Sequence, residues 1–289
     1  MDLIFGQIID AINGFLISVI EANLSAMFVD INENVGSIAE QVGKTPSQWN
    51  NGIFNLIKSL SENVIVPVAG LVVSFVLCYE LINLIIDRNN MHDIDTFIFF
   101  KYFFKAVVAV IIVSNAFNII MAVFDMGQYI VSNSAGVIGK NTSVDISSAI
   151  ADIKKELETV NTGELFLIVI ETSLVSLCMK ILSVFITVIV FGRMIEIYLY
   201  CSVGAIPLAT MTNREWGQMG GNYLRGLLAL GFQGFFIMIC VGIYAVLVNS
   251  FTVTSNLHTT IFSVSAYTVT LCFALFKTDS ISKSIFNAH

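Results

Sequence analysis

Arg193, Glu196 and Pro207 stand in FGRMIEIYLYCSVGAIPLATM (residues 191–211), a run otherwise apolar enough for a bilayer. An arginine and a glutamate three positions apart share one helical face and can pair. An ionised side chain at mid-bilayer costs about 2.5 to 3.5 kcal/mol on insertion scales, whereas each Leu or Ile returns about 0.3 to 0.6. The segment can therefore insert only with those charges turned away from lipid. Two readings stay open: a solvated turn over residues 192–196, or a pair facing a bundle interior, an oligomer interface or a pore. Pro207 removes a backbone hydrogen bond, so its helix kinks or ends there, with Gly204 supplying room.

Glu80, Glu171 and Lys180 are further ionisable groups inside apolar runs. Glu171 and Lys180 are nine apart, point to nearly opposite helical faces, and cannot satisfy one another. Glu171 lies near the end of its run, while Lys180 is deep enough to strain snorkelling. Lys180 with Glu80, or Lys180 with Glu196, is the candidate interhelical pair. Cys78, Cys178, Cys201, Cys240 and Cys272 fall in apolar stretches without CxxC spacing and read as small buried hydrophobes. His92, His258 and His289 lack metal-ligand spacing. Without a phosphate-binding loop, a dinucleotide fingerprint or a nucleophile motif, the residues point to no enzyme and no cofactor.

These groups must be positioned by membrane helices. Hydrophobic residues make up 56% of the 289-residue chain and charged ones 12%, with a mean hydropathy of +0.83. That excludes a soluble domain with a solvated surface and predicts an all-α, polytopic membrane protein. A net charge of -7 gives no basic stripe for gripping phosphates.

Residues 3–28 carry apolar positions at helical spacing opposite Asp2, Asp10, Asn13 and Glu21, which predicts an N-terminal amphipathic helix. Residues 1–43 contain neither Lys nor Arg, so this helix suits protein contacts or an outer membrane face better than an anionic lipid surface. The first span is placed at 64–86, with Pro67 in its first turn. The second is placed near 105–124, where Asn115 and Asn118 offer interhelical hydrogen bonds. The polar segment 125–164 contains one amphipathic helix, with Ile146, Ile150, Ile153, Leu157 and Val160 on a face. The long apolar run that follows is split at Gly192 into 165–191 and 194–211. Two more spans fall at 227–248 and 260–276. The count is six, or five if half of the long run is re-entrant, within a range of five to seven. The organisation is thus 1–63 amphipathic helix and polar segment, 64–124 first helix pair, 125–164 extramembrane segment, and 165–289 main bundle.

Basic residues in the first connection, Arg88, Lys101 and Lys105, favour an outside N-terminus, although Lys154, Lys155, Arg214, Arg225, Lys277 and Lys283 pull the other way in a six-span arrangement. The glycines of GQMGG and the run beyond it, Gly220, Gly221, Gly226, Gly231 and Gly234, together with Gly192 and Gly204, allow tight helix packing or a hinge.

The string RMIEIYLYCSVGAIPLATMTNREW, followed by GQMGGNYLRGLLALGFQGFFIMICVGIYAVLV, closely resembles the TrbL-like conjugal transfer proteins of Gram-positive mobile elements, most strongly over residues 165–248. The resemblance implies a non-enzymatic inner-membrane subunit of a type IV secretion system in the bacterial cytoplasmic membrane. Such a subunit oligomerises with its own copies, meets secretion ATPases and a coupling protein, and helps pass single-stranded DNA with its attached relaxase. Arg193, Glu196, Pro207, Arg214, Arg225 and Gln233 match the motif, without the match assigning their roles. The low basic content suits a conduit or scaffold better than a DNA receptor, because a conduit must release its cargo. A secondary transporter using Glu80, Glu171 and Lys180 is the alternative.

Overall fold

The structure is a computed structural model and describes residues 2–86, 96–138, 147–213, 215–249 and 257–288. Every regular element among these residues is helical, and five helices are long and apolar enough to cross a membrane, or six if a bent pair makes one span. The chain divides into two compact units: residues 1–42, 132–190 and 236–277, and residues 43–131, 191–235 and 278–289.

The first unit begins with α1, Asp2–Val42. The expected N-terminal helix is present, extends far beyond residue 28, and carries a segment, Phe5–Met27, that is itself long and apolar enough to cross. Leu16, Ile20, Leu24 and Met27 recur every three to four residues and are buried, whereas Phe5, Ile8, Ile12 and Phe15 are exposed. Asn23 Nδ2 donates to Thr172 Oγ1 at 3.2 Å and to Ser173 Oγ at 3.0 Å, which joins α1 to α8 (Thr162–Val203). α7, Ser147–Leu157, is the helix expected in the polar segment. Ile153 and Leu157 of its predicted face are buried, Ile150 is half-buried, and Ile146 lies outside the described residues. Lys154 Nζ reaches Glu21 of α1 at 2.8 Å. That hydrogen bond and charge raise the Lys154 pKa above its ordinary value.

α8 spans Thr162–Val203 without interruption. The split expected at Gly192 is therefore not there. A glycine inside a helix costs about 1 kcal/mol relative to alanine, too little to break a long apolar helix without proline beside it. At 1.5 Å per residue its 42 residues extend about 63 Å, roughly twice a hydrocarbon core. Ile170, Leu174, Leu177, Ile181, Val184 and Val188 form an exposed stripe along it, the pattern of a helix facing lipid or another membrane helix. In the same unit, Tyr244 of α10 (Gly217–Asn249) and Thr268 of α11 (Leu257–Ile285) share a buried hydrogen bond of 2.8 Å.

The second unit opens with α2, Pro46–Trp49, and α3, Asn51–Leu60. Thr45 starts α2 by a reciprocal cap: its hydroxyl accepts from the Gln48 N–H, and the Gln48 side chain accepts from the Thr45 N–H. Asn50 caps α3 by accepting from Ile53 N at 3.0 Å. α3 continues through a π-helical turn, Ser61–Ile65, into α4, Val66–Ile86, so the helix runs from Asn51 to Ile86. Pro67 thus lies well inside a helix and not in the first turn of a span beginning at residue 64. Proline clashes with the carbonyl four residues back, and the widened turn just before it gives that carbonyl room.

The expected span over residues 105–124 is also revised. α5, Thr96–Ser114, and α6, Ala116–Ile138, meet at Asn115 with a bend of 68°. Asn115 Nδ2 donates to the carbonyl of Ile111, a local bond within its own helix and not one between helices. α6 carries regular helix into the segment read as polar and extramembrane, as far as Ile138. The core of this unit packs Ala69 and Val73 of α4, Ala109 and Val113 of α5, Phe117 and Ile120 of α6, and Ile197 and Cys201 of α8.

Candidate functional site

The motif residues from Phe191 to Phe235 lie in the second unit. Three helices meet there: the last turns of α8, the first half of α10 and the end of α11. The deciding residue is Arg193, only 8% exposed. A buried guanidinium needs acceptors, and its Nη2 donates to the carbonyl of Leu230 on α10 at 3.3 Å. One residue earlier on α10, the carbonyl of Ala229 accepts from Ser282 Oγ of α11 at 2.5 Å. Consecutive carbonyls of α10 are thus held by side chains from the two flanking helices.

Glu196 does not close on Arg193. It accepts from Lys283 of α11 at 3.2 Å, and Lys283 also bonds Asp279 at 2.9 Å. Lys283 thus holds two carboxylates, and all three side chains are about one-third exposed. Phe232 and Phe286 pack beside it with ring centroids 5.0 Å apart. Gln233, one turn beyond Leu230, is 4% exposed. Its Oε1 and the Nε of Arg193 have no hydrogen-bond partner among the described residues.

α8 ends at Val203, and α9, Ala205–Thr210, follows Gly204. Pro207 sits in the first turn of α9, where an absent N–H costs least. A Cβ on Gly204 would fall inside the side chains of Ile120 and Tyr223. Tyr223 Oη donates to the carbonyl of Tyr200 at 2.9 Å, and the two rings stack at 5.7 Å. A Cβ on Gly220 would lie 2.5 Å from the Pro207 carbonyl oxygen, and one on Gly226 would lie 3.2 Å from the Tyr200 ring. These glycines are packing positions. Gly192 and Gly221 have nothing within 4 Å of a built Cβ, so neither marks a close approach. Gly231 and Gly234 are buried.

One further close crossing joins Gly231 to a glycine outside that run. A Cβ on Gly127 of α6 would lie 2.7 Å from the carbonyl oxygen of Gly231 on α10, so these backbones touch. Neither glycine has another four residues away on its own helix, so no GxxxG spacing flags the contact.

The remaining charges find partners that the sequence did not indicate. Glu80 of α4 pairs with Lys105 of α5, not with Lys180. In the first unit, Glu171 meets His258 Nδ1 at 2.5 Å, with Glu164 4.0 Å from the other ring nitrogen. Lys180 and Arg225 are exposed, and Arg214 lies outside the described residues. The loop after α9 is organised by Asn213, 5% exposed, whose Oδ1 accepts from the N–H groups of Glu215 and Trp216 at 2.7 and 3.1 Å.

Compared with known proteins, residues 31–205 match the model of the TrbL/VirB6 plasmid conjugal transfer like protein family. The chain belongs to this family. The matched region takes in the end of α1, the α3–α4 helix, the bent pair and all of α8, and includes Arg193, Glu196 and the Gly204 break. Pro207, Arg214, Arg225 and Gln233 lie beyond it. No curated protein and no solved structure matches. Membership of a conjugal transfer family, together with five to six candidate membrane-crossing helices, makes this a multi-pass membrane protein of that family.

Proposed function

We propose that this protein is a non-enzymatic channel or scaffold subunit of a conjugative type IV secretion system in the bacterial cytoplasmic membrane, where it helps single-stranded DNA with its attached relaxase to cross. The observation that carries this reading is the family match over residues 31–205. The site supports it in kind. Arg193 Nη2 bonds the Leu230 carbonyl, and Lys283 bonds both Glu196 and Asp279, which suits a fixed helix junction in an assembly. Energy for transfer then comes from partner ATPases, and the chain works as a homo-oligomer with those partners and a coupling protein. A small-solute transporter would need Glu80 and Glu171 available to its substrate, but Lys105 and His258 already occupy them.

The test is formaldehyde cross-linking of mating donor cells that carry an epitope-tagged chain, followed by precipitation and amplification of the transferred strand. Recovery of that strand, dependent on the relaxase, is the expected result. Recovery with the coupling ATPase but not with this chain would leave a scaffold and remove the conduit.

A further inference from the structure

The aromatic cluster around Trp216 does no work in the helix junction. Its ring packs against Phe75, with centroids 5.5 Å apart, and stacks on Tyr79 at 6.3 Å. Tyr79 Oη donates to Glu215 at 3.0 Å. Trp216 nevertheless stays 42% exposed, although Asn213 fixes its backbone. It is an amphipathic ring held rigidly at the surface, with a carboxylate and a phenol beside it.

α4 supplies the scale. Between Glu62 and Glu80 the sequence has no Asp, Glu, Lys or Arg. Val64, Val68, Leu71 and Phe75 form its exposed stripe. Glu62 pairs with Lys58 at one end, and Glu80 pairs with Lys105 at the other. The eighteen-residue step between the two glutamates measures about 27 Å along a helix, close to a hydrocarbon core of about 30 Å. Tyr and Trp concentrate where such a core meets the headgroups, because one end of the ring is apolar and the other polar.

We infer that Trp216, seated on Tyr79 and Phe75, anchors the second unit in the phospholipid headgroup layer, and that residues 63–79 are the part of the Asn51–Ile86 helix inside the hydrocarbon. The occupant of this surface is lipid. Glu80 and Lys105 then pair at the membrane–water boundary, and α10 enters the bilayer directly after Trp216.

Trp49 and Trp216 are the two tryptophans of the chain, so Trp49→Phe isolates the emission of Trp216. The variant is reconstituted in phosphatidylcholine vesicles whose acyl chains carry bromine either near the glycerol or near the terminal methyl. A larger loss of emission with the shallow bromine is expected. An equal or larger loss with the deep bromine would place Trp216 in the core, and no loss with either would place it against protein or water; both results overturn the inference. Trp49 packs on Phe191 and Tyr198. Should its replacement prevent folding, the difference in quenching between the native protein and Trp216→Phe gives the same reading.

Discussion

Glu196 of α8 accepts from Lys283 of α11 at 3.2 Å, although Arg193 stands one turn away on its own helix and spends its bond on the Leu230 carbonyl. The two charges of the motif therefore face different helices. Glu196→Lys alone and Lys283→Glu alone each set like charges together, whereas the double exchange restores attraction. Both partners are about one-third exposed, so each single change should cost about 1 kcal/mol or somewhat more, between the values for exposed and buried pairs. Thermal unfolding of the purified protein should show the double variant recovering only part of the loss, because the carboxylate then at position 283 faces Asp279, which bonds Lys283 at 2.9 Å in the native chain. Additive losses would mean that the pair does not couple α8 to α11.

Arg193→Leu removes a charged donor from a buried acceptor and should cost about 1.5 to 3 kcal/mol. Arg193→Lys keeps the charge but not the reach of the planar fork, and should recover part of this. The comparison is again read by thermal unfolding, at matched membrane levels.

The glycines make an opposed pair of predictions. Gly127→Ala places a methyl 2.7 Å from the Gly231 carbonyl oxygen, backbone that cannot swing aside, and overpacking of this kind costs about 1 to 3 kcal/mol. Gly192→Ala meets nothing within 4 Å and sits inside α8, so it should stabilise by about 0.5 to 1 kcal/mol. If Gly192→Ala destabilises instead, residue 192 is a hinge after all.

Lys154 gives a pH dependence whose sign is fixed. Its pKa is raised by Glu21, so the stabilisation is complete at neutral pH and is lost only as pH rises through the raised value, beyond the ordinary lysine range. Stability measured against pH should therefore diverge between native protein and Lys154→Gln below that range and converge above it. The difference should be small and shrink with salt, because Lys154 lies at the surface.

The sequence carried the helical membrane architecture because long apolar runs in a chain with 12% charge leave few other solutions. Gly204 and Pro207 are local signals of a break, but they pointed to Pro207 in a span ending at residue 211, whereas α8 ends at Val203 and Pro207 lies inside α9. Partners were less legible. The i,i+3 spacing of Arg193 and Glu196 shows a shared face but not what faces it, and Lys283 lies 87 positions from Glu196. Glu80 likewise finds Lys105, 25 residues on, where long-range charge matching had suggested Lys180. The bend at Asn115 has no proline to announce it. Gly204, Gly220 and Gly226 do mark close approaches while Gly192 marks none, and the need for a bare backbone at Gly127 appears only when α10 lies against it.

The proposed role makes this chain a working part of a conjugal transfer machine. The most direct test is the transfer frequency of its mobile element after in-frame deletion, with relaxase nicking at the transfer origin followed in parallel. Loss of transfer with nicking intact, and recovery on supplying the native chain, is the predicted result. Transfer at undiminished frequency in the deletion strain would mean that the chain has no part in transfer.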